Sequence, residues 1–183
     1  GNGEGNGQDV RIDQITPVER IGSEYIFVRG VGPDEIERPL IVAHEDNTEV
    51  YVNGALYATL ANGGDFVSID AGYYGVSYPA DGNEGPPLGQ SSNMYVNTSN
   101  PVFAFQVIGG ERPGGSGGYS GIPNQGLFFV PPINCQTPKI VDNIPFINQI
   151  GTASFSGVIT LVTEAGSTVL INDLDISNYN VTA

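Results

Sequence analysis

Residues 38–54 read RPLIVAHEDNTEVYVNG. Apolar residues run from Leu40 to Ala43, a polar turn spans His44 to Thr48, and Val50 and Val52 then alternate with Glu49, Tyr51 and Asn53. Two β-rich runs around a short polar turn predict a hairpin. The Asn53-Gly54 pair predicts a further tight turn, because both residues tolerate positive φ. Residues 157–174, GVITLVTEAGSTVLINDL, carry a weaker copy, 119 positions on. Glu45 falls on Glu164, Thr48 on Ser167, Val50 on Val169, Val52 on Ile171 and Asn53 on Asn172. Each pair keeps its face of the strand, since side chains alternate with period two. The repetition is read as an internal duplication of one hairpin unit.

Working outward, the 183 residues suit one domain, or one domain and part of a second. Hydrophobic residues make up 39 %, enough for a core, while 26 glycines and 13 prolines punctuate the chain. No helical period is sustained; in IERPLIVAH it is interrupted at Pro39. Strands are expected at VRIDQI (10–15), after a Pro turn within TPVERIGSEYIFVRG (16–30) with Tyr25 and Phe27 or Ile26 and Val28 as its faces, at LYATL (56–60), DFVSID (65–70), YYGVSY (73–78), SNMYVN (92–97), PVFAFQVI (101–108) and GLFFV (126–130, short and buried). Thr98-Ser99-Asn100-Pro101 reads as a turn between two of them, and SNYNVTA (177–183) as a final strand. Roughly twelve short, mostly antiparallel strands of ordinary length predict an all-β fold, a two-layer β-sandwich. Residues 1–14 form a Gly-rich tail with the first strand, 15–183 the sandwich, and 151–183 a second hairpin unit.

The net charge is −14, from 20 acidic and 6 basic residues. Phosphate backbones need clustered Lys and Arg, so nucleic acid is excluded as a natural partner, and an anionic membrane surface fits no better. No run of 18 apolar residues occurs, so membrane insertion through a helix is not expected. The opening GNGEGNGQD carries no signal sequence and reads as a mature end after processing or as an expression boundary. The acidity suits cations. Asp81, Asn83 and Glu84 place three oxygen donors in one loop and are the candidate calcium ligands, although a full site needs six to eight oxygens. Gly5, Gly7 and Asp9 match a calcium-binding nonapeptide only once, with Arg11 where an apolar residue belongs.

The residue types needed for catalysis are scarce. His44 is the only histidine and sits in a polar turn. There is no Gly-x-Ser-x-Gly elbow, no phosphate-binding GxxxxGK[ST] and no Cys/His zinc spacing. Carboxylate pairs that could flank a sugar lack a tryptophan to stack its ring, and a Lys–Asn cross-link could use only Lys139. Cys135 is alone and reads as a buried thiol, with a bridge to a second chain as the alternative.

PVERIGSEYIFV, LIVAHEDNTEVYVNG, NPVFAFQVIGG and LFFVPPINCQ, in that order, resemble the N-terminal domain family named after the IgG Fc-binding protein. The stretch from Glu45 to Gly54 matches best, and Pro131, Pro132 and Cys135 follow in order. The resemblance covers roughly residues 15–175. It implies an exported module of a cell-surface, adhesin-like protein, with no catalytic residue to carry over.

Two functional readings follow. One is a non-enzymatic structural or adhesive module, extracellular and self-associating as a filament or sheath subunit. Its connector would be the terminal segment carrying Gly1, Gly3, Gly5, Gly7, Asp9, Val10 and Ile12, added as a strand to a neighbouring copy. The other is a glycan- or protein-binding module of a large surface adhesin. Tyr73, Tyr74, Tyr78 and Tyr119 would be its contact surface, beside the glycine-rich stretch 109–126.

Overall fold

In the computed structural model the described residues are 16–29, 34, 37–75, 93–109, 125–133, 139–141, 149–150, 152–154 and 161–179. The expectation of an all-β fold is borne out. The chain forms two compact units, 1–133 and 134–183.

The first unit is built on antiparallel strands β1 (Gly22–Val28), β2 (Pro39–Ala43), β3 (Thr48–Val52), β4 (Ala55–Leu60), β5 (Phe66–Ser68), β6 (Asn93–Gly109) and β7 (Gln125–Phe129), all in one sheet. At 17 residues β6 is its spine. Val96 pairs with both Tyr25 and Val52, and Phe105 with both Leu40 and Phe129. Strands β2 and β3 therefore lie end to end along one edge of β6, and β7 and β1 along the other.

That topology corrects the hairpin reading of 38–54. Strands β2 and β3 run in the same direction and do not pair with each other. The segment between them is a bulge that shifts the register on β6 from Ala43↔Val102 to Val50↔Thr98. Asn47 takes φ 54 there, the Thr48 hydroxyl donates to the Glu45 carbonyl (2.8 Å), and Asn100 Nδ2 donates to the Asp46 carbonyl (3.3 Å). The excursion is thus fastened to β6 and does not reverse the chain. The true hairpin is β3–β4. Its two-residue turn has φ 50 at Asn53 and φ 86 at Gly54, the primed geometry that matches strand twist.

A second correction concerns the turn expected at 98–101, which is the middle of β6. On both edges, pairing skips residues 99–101, so Pro101's missing N–H costs the ladder nothing. The inward alternation continues through the gap, with Met94, Val96, Thr98, Val102, Ala104 and Gln106 all buried. Tyr25 fills the matching irregularity in β1. Its hydroxyl donates to the Val102 carbonyl (2.6 Å) and accepts from the Gly22 amide (2.8 Å).

The core joins these residues to Phe27, Ile41, Val50, Val52, Leu60, Ile69, Tyr74 and Val130. The strand expected to begin at Tyr73 opens instead with a 3-10 turn, Ala71–Tyr74, because Asp70 Oδ1 accepts from the Gly72 amide and Gly75 closes it at φ 76. The 126–130 strand is present, but it runs beside one edge of β6, which leaves Leu127 and Phe128 exposed; Val130 is the buried residue.

Single contacts mark the margins of this sheet. Ile133 donates to the Glu24 carbonyl beyond β1 (2.8 Å), and Pro132 sits so close to Gly22 that a side chain there would collide with it. On the other side the Tyr57 hydroxyl joins β4 to β5 by donating to the Ser68 carbonyl (3.3 Å).

In the second unit, β8 (Gln149–Ile150) pairs with β9 (Ala153–Ser154), and β10 (Leu170–Ile171) with β11 (Leu174–Asp175). The hairpin here again lies one turn later than the sequence reading placed it, around Asn172 (φ 50) and Asp173 (φ 64). A 3-10 turn at Ile176–Asn178, capped by Asp175, occupies the start of the expected final strand.

Two outcomes follow. Asn53 accepts from the Tyr95 amide (3.0 Å) and donates to the Tyr73 carbonyl (2.9 Å) through its side chain. Asn53→Ala is expected to lose about 2 kcal/mol in urea denaturation and Asn53→Gly, which keeps the turn, about half of that. Burial pushes the Tyr25 phenol up to about 12, above its ordinary value of 10. Its contribution is therefore complete below pH 10 and is lost as pH rises towards 12. NMR of ring-labelled tyrosine against pH should show the buried Tyr25 ionising after the exposed rings and together with unfolding.

Candidate functional site

Where β1 ends, Arg29 turns inward and its Nη2 meets Asp34 Oδ1 at 2.7 Å. Glu37, just before β2, is fully buried. Its Oε2 accepts from Gln106 Nε2 (3.3 Å), and Gln106 Oε1 accepts from the Tyr74 hydroxyl (2.9 Å). Burial drives the Tyr74 phenol well above its ordinary range, with Gln106 and Arg29 opposing and Glu37 adding to the rise. The group is a buried polar cluster tying the β1–β2 connection and the 71–74 turn to β6. Its charges are held in the interior and its work is to fix the fold. Nothing in the sequence marked it: Arg29 and Glu37 lie far from Gln106 in the chain, and only their meeting in the interior makes them a unit.

The expected tyrosine surface is divided. Tyr73 is 43 % exposed and its ring stands edge-on to Tyr57 at 5.3 Å between centroids. Tyr74, its neighbour, is turned into the core at 4 % exposure, so it presents no face to a ligand. Tyr78 and Tyr119 lie outside the described residues, as do the calcium candidates Asp81, Asn83 and Glu84, the terminal segment from Gly1 to Ile12, and Cys135. His44 is exposed in the bulge, edge-on to Phe103 at 6.3 Å. Among the described residues no three His, Cys, Asp or Glu side chains gather as a metal site, and no helix is long and apolar enough to cross a membrane.

The outer face of the sheet was also missed. Leu40, Val42, Phe103, Phe105 and Phe129 are half-buried on it, and Phe66 is 69 % exposed. The alternation in PVFAFQVI was the available signal: Ala104 and Gln106 point inward, Phe103 and Phe105 outward.

Removing Glu37 would take away the buried carboxylate that accepts from Gln106 Nε2. Glu37→Ala is expected to destabilise the chain by about 3 kcal/mol in chemical denaturation.

No curated protein and no solved structure matches this chain. The profile of the family described as IgGFc binding protein matches residues 2–182, nearly its whole length. The chain therefore belongs to the IgGFc binding protein family.

Proposed function

We propose that this chain is a non-enzymatic, extracellular protein-binding module that also associates with copies of itself, as a subunit of a surface filament or sheath. The family match over residues 2–182 carries the reading, since the family is described by a binding activity. Three of the described ionisable groups, Arg29, Asp34 and Glu37, are engaged in contacts within the fold. The connector is the terminal segment with Val10 and Ile12, whose alternation suits addition to a neighbour's sheet edge by main-chain hydrogen bonds. Calcium enters through Asp81, Asn83 and Glu84.

A second reading, a glycan- or protein-binding module of a surface adhesin, is favoured by the exposed Tyr73 ring braced against Tyr57.

Light scattering against concentration, with and without calcium, tests the first reading. Mass should grow with concentration, and deleting residues 1–9 should abolish the growth; a strict monomer in both conditions contradicts it. For the second, Tyr73→Ala should weaken binding on a glycan and immunoglobulin array, and an array without signal ends it.

A further inference from the structure

The hairpins β3–β4 and β10–β11 agree residue by residue. Left-handed backbone occurs at Asn47, Asn53 and Gly54 in one, and at Gly166, Asn172 and Asp173, each 119 positions later, in the other. The strand register agrees as well. Tyr51↔Leu56 and Val52↔Ala55 correspond to Leu170↔Asp175 and Ile171↔Leu174. Both turns are closed onto the preceding glutamate carbonyl, by the Thr48 hydroxyl on Glu45 and by the Ser167 amide on Glu164 (3.1 Å).

What differs is the far edge. Strand β3 is paired there with β6, through Val50↔Thr98, Tyr51↔Asn97 and Val52↔Val96, and Asn53 completes the ladder by exchanging hydrogen bonds with the Tyr95 backbone. Among the described residues, β10 pairs only with β11. Leu161, Val162, Leu170 and Leu174 are each about half exposed, and Asn172 is exposed. Natural sheets usually cover such edges.

We propose that the far edge of β10 is the acceptor for residues 9–15 of a second copy of this chain, added antiparallel in the register that β6 uses on β3. This rests on the self-association reading and assigns its acceptor. A neighbour's β6 cannot serve, because both its edges are filled. The DVRIDQI segment repeats the spacing of Val96 and Thr98 with Val10 and Ile12. In that register Val10 and Ile12 fall opposite Ile171 and Val169, as Val96 and Thr98 fall opposite Val52 and Val50. Arg11 falls opposite Leu170, which puts its charge on the face of Asp175, in a stretch, 161–179, that holds three acids and no Lys or Arg. Asn172 then accepts the Asp9 backbone N–H, as Asn53 accepts that of Tyr95.

Sedimentation velocity of the full chain tests this with two variants. Leu170→Pro removes the outward N–H of β10 and should abolish assembly. Asn172→Gly keeps the positive-φ turn but removes the side-chain acceptor, and should weaken assembly about five- to tenfold. Hydrogen exchange on dilute wild-type chain provides the second measurement: the Leu170 amide should exchange freely and become protected by a QDVRIDQI peptide. Assembly unchanged in both variants overturns the acceptor while leaving self-association standing. A monomeric wild type removes self-association and this occupant together. Protection of Leu170 in the dilute chain alone, or by an NMYVNTSN peptide but not by QDVRIDQI, assigns the edge to another strand and overturns the proposal.

Discussion

A strand with neighbours on both sides must satisfy its main chain along its whole length, and β6 meets that demand with four partners instead of two. Each edge carries two short strands end to end, with a break at residues 99–101. The break is where Pro101 stands, where the 44–47 bulge is fastened by Asn100, and where the Tyr25 hydroxyl takes the Val102 carbonyl. Side chains replace the ladder at the position where proline and the change of partner would interrupt it. Met94, Val96 and Thr98 before the break and Val102, Ala104 and Gln106 after it are all buried, so one core serves both halves of the sheet.

The buried cluster of Arg29, Glu37, Gln106 and Tyr74 depends on that continuity. Gln106 is an inward position of β6, and only there can its amide bridge Glu37 and Tyr74. Buried charges are expensive to desolvate, and here Arg29 meets Asp34 and Glu37 accepts from Gln106. The outward rings of Tyr73 and Phe66 stay exposed, and among the described residues β10 pairs only with β11.

Much of the secondary structure was legible. Alternation located β3, and Asn53-Gly54 marked a real turn. Pairing was not legible, for a physical reason. A polar stretch such as His44–Asn47 can reverse a chain or bulge from a strand that continues, and its hydrogen bonds to Asn100 decide between them. Thr98–Pro101 posed the same ambiguity, because proline breaks a strand only where its N–H is wanted. The polar cluster was invisible for a different reason: its members lie at sequence positions 29, 34, 37, 74 and 106, and none belongs to a local motif. Of the tyrosines, 73 and 74 are adjacent in sequence and opposite in orientation, which a 3-10 turn produces and an aromatic count does not show.

The account stands or falls on β6 being one strand. Amide hydrogen exchange read residue by residue under increasing denaturant tests it directly. The backbone amides of 93–98 and 102–107 should exchange through the same global opening, with Ser99 and Asn100 faster than either flank. Two flanks that open at different denaturant concentrations, as separate strands joined by a turn would, contradict it.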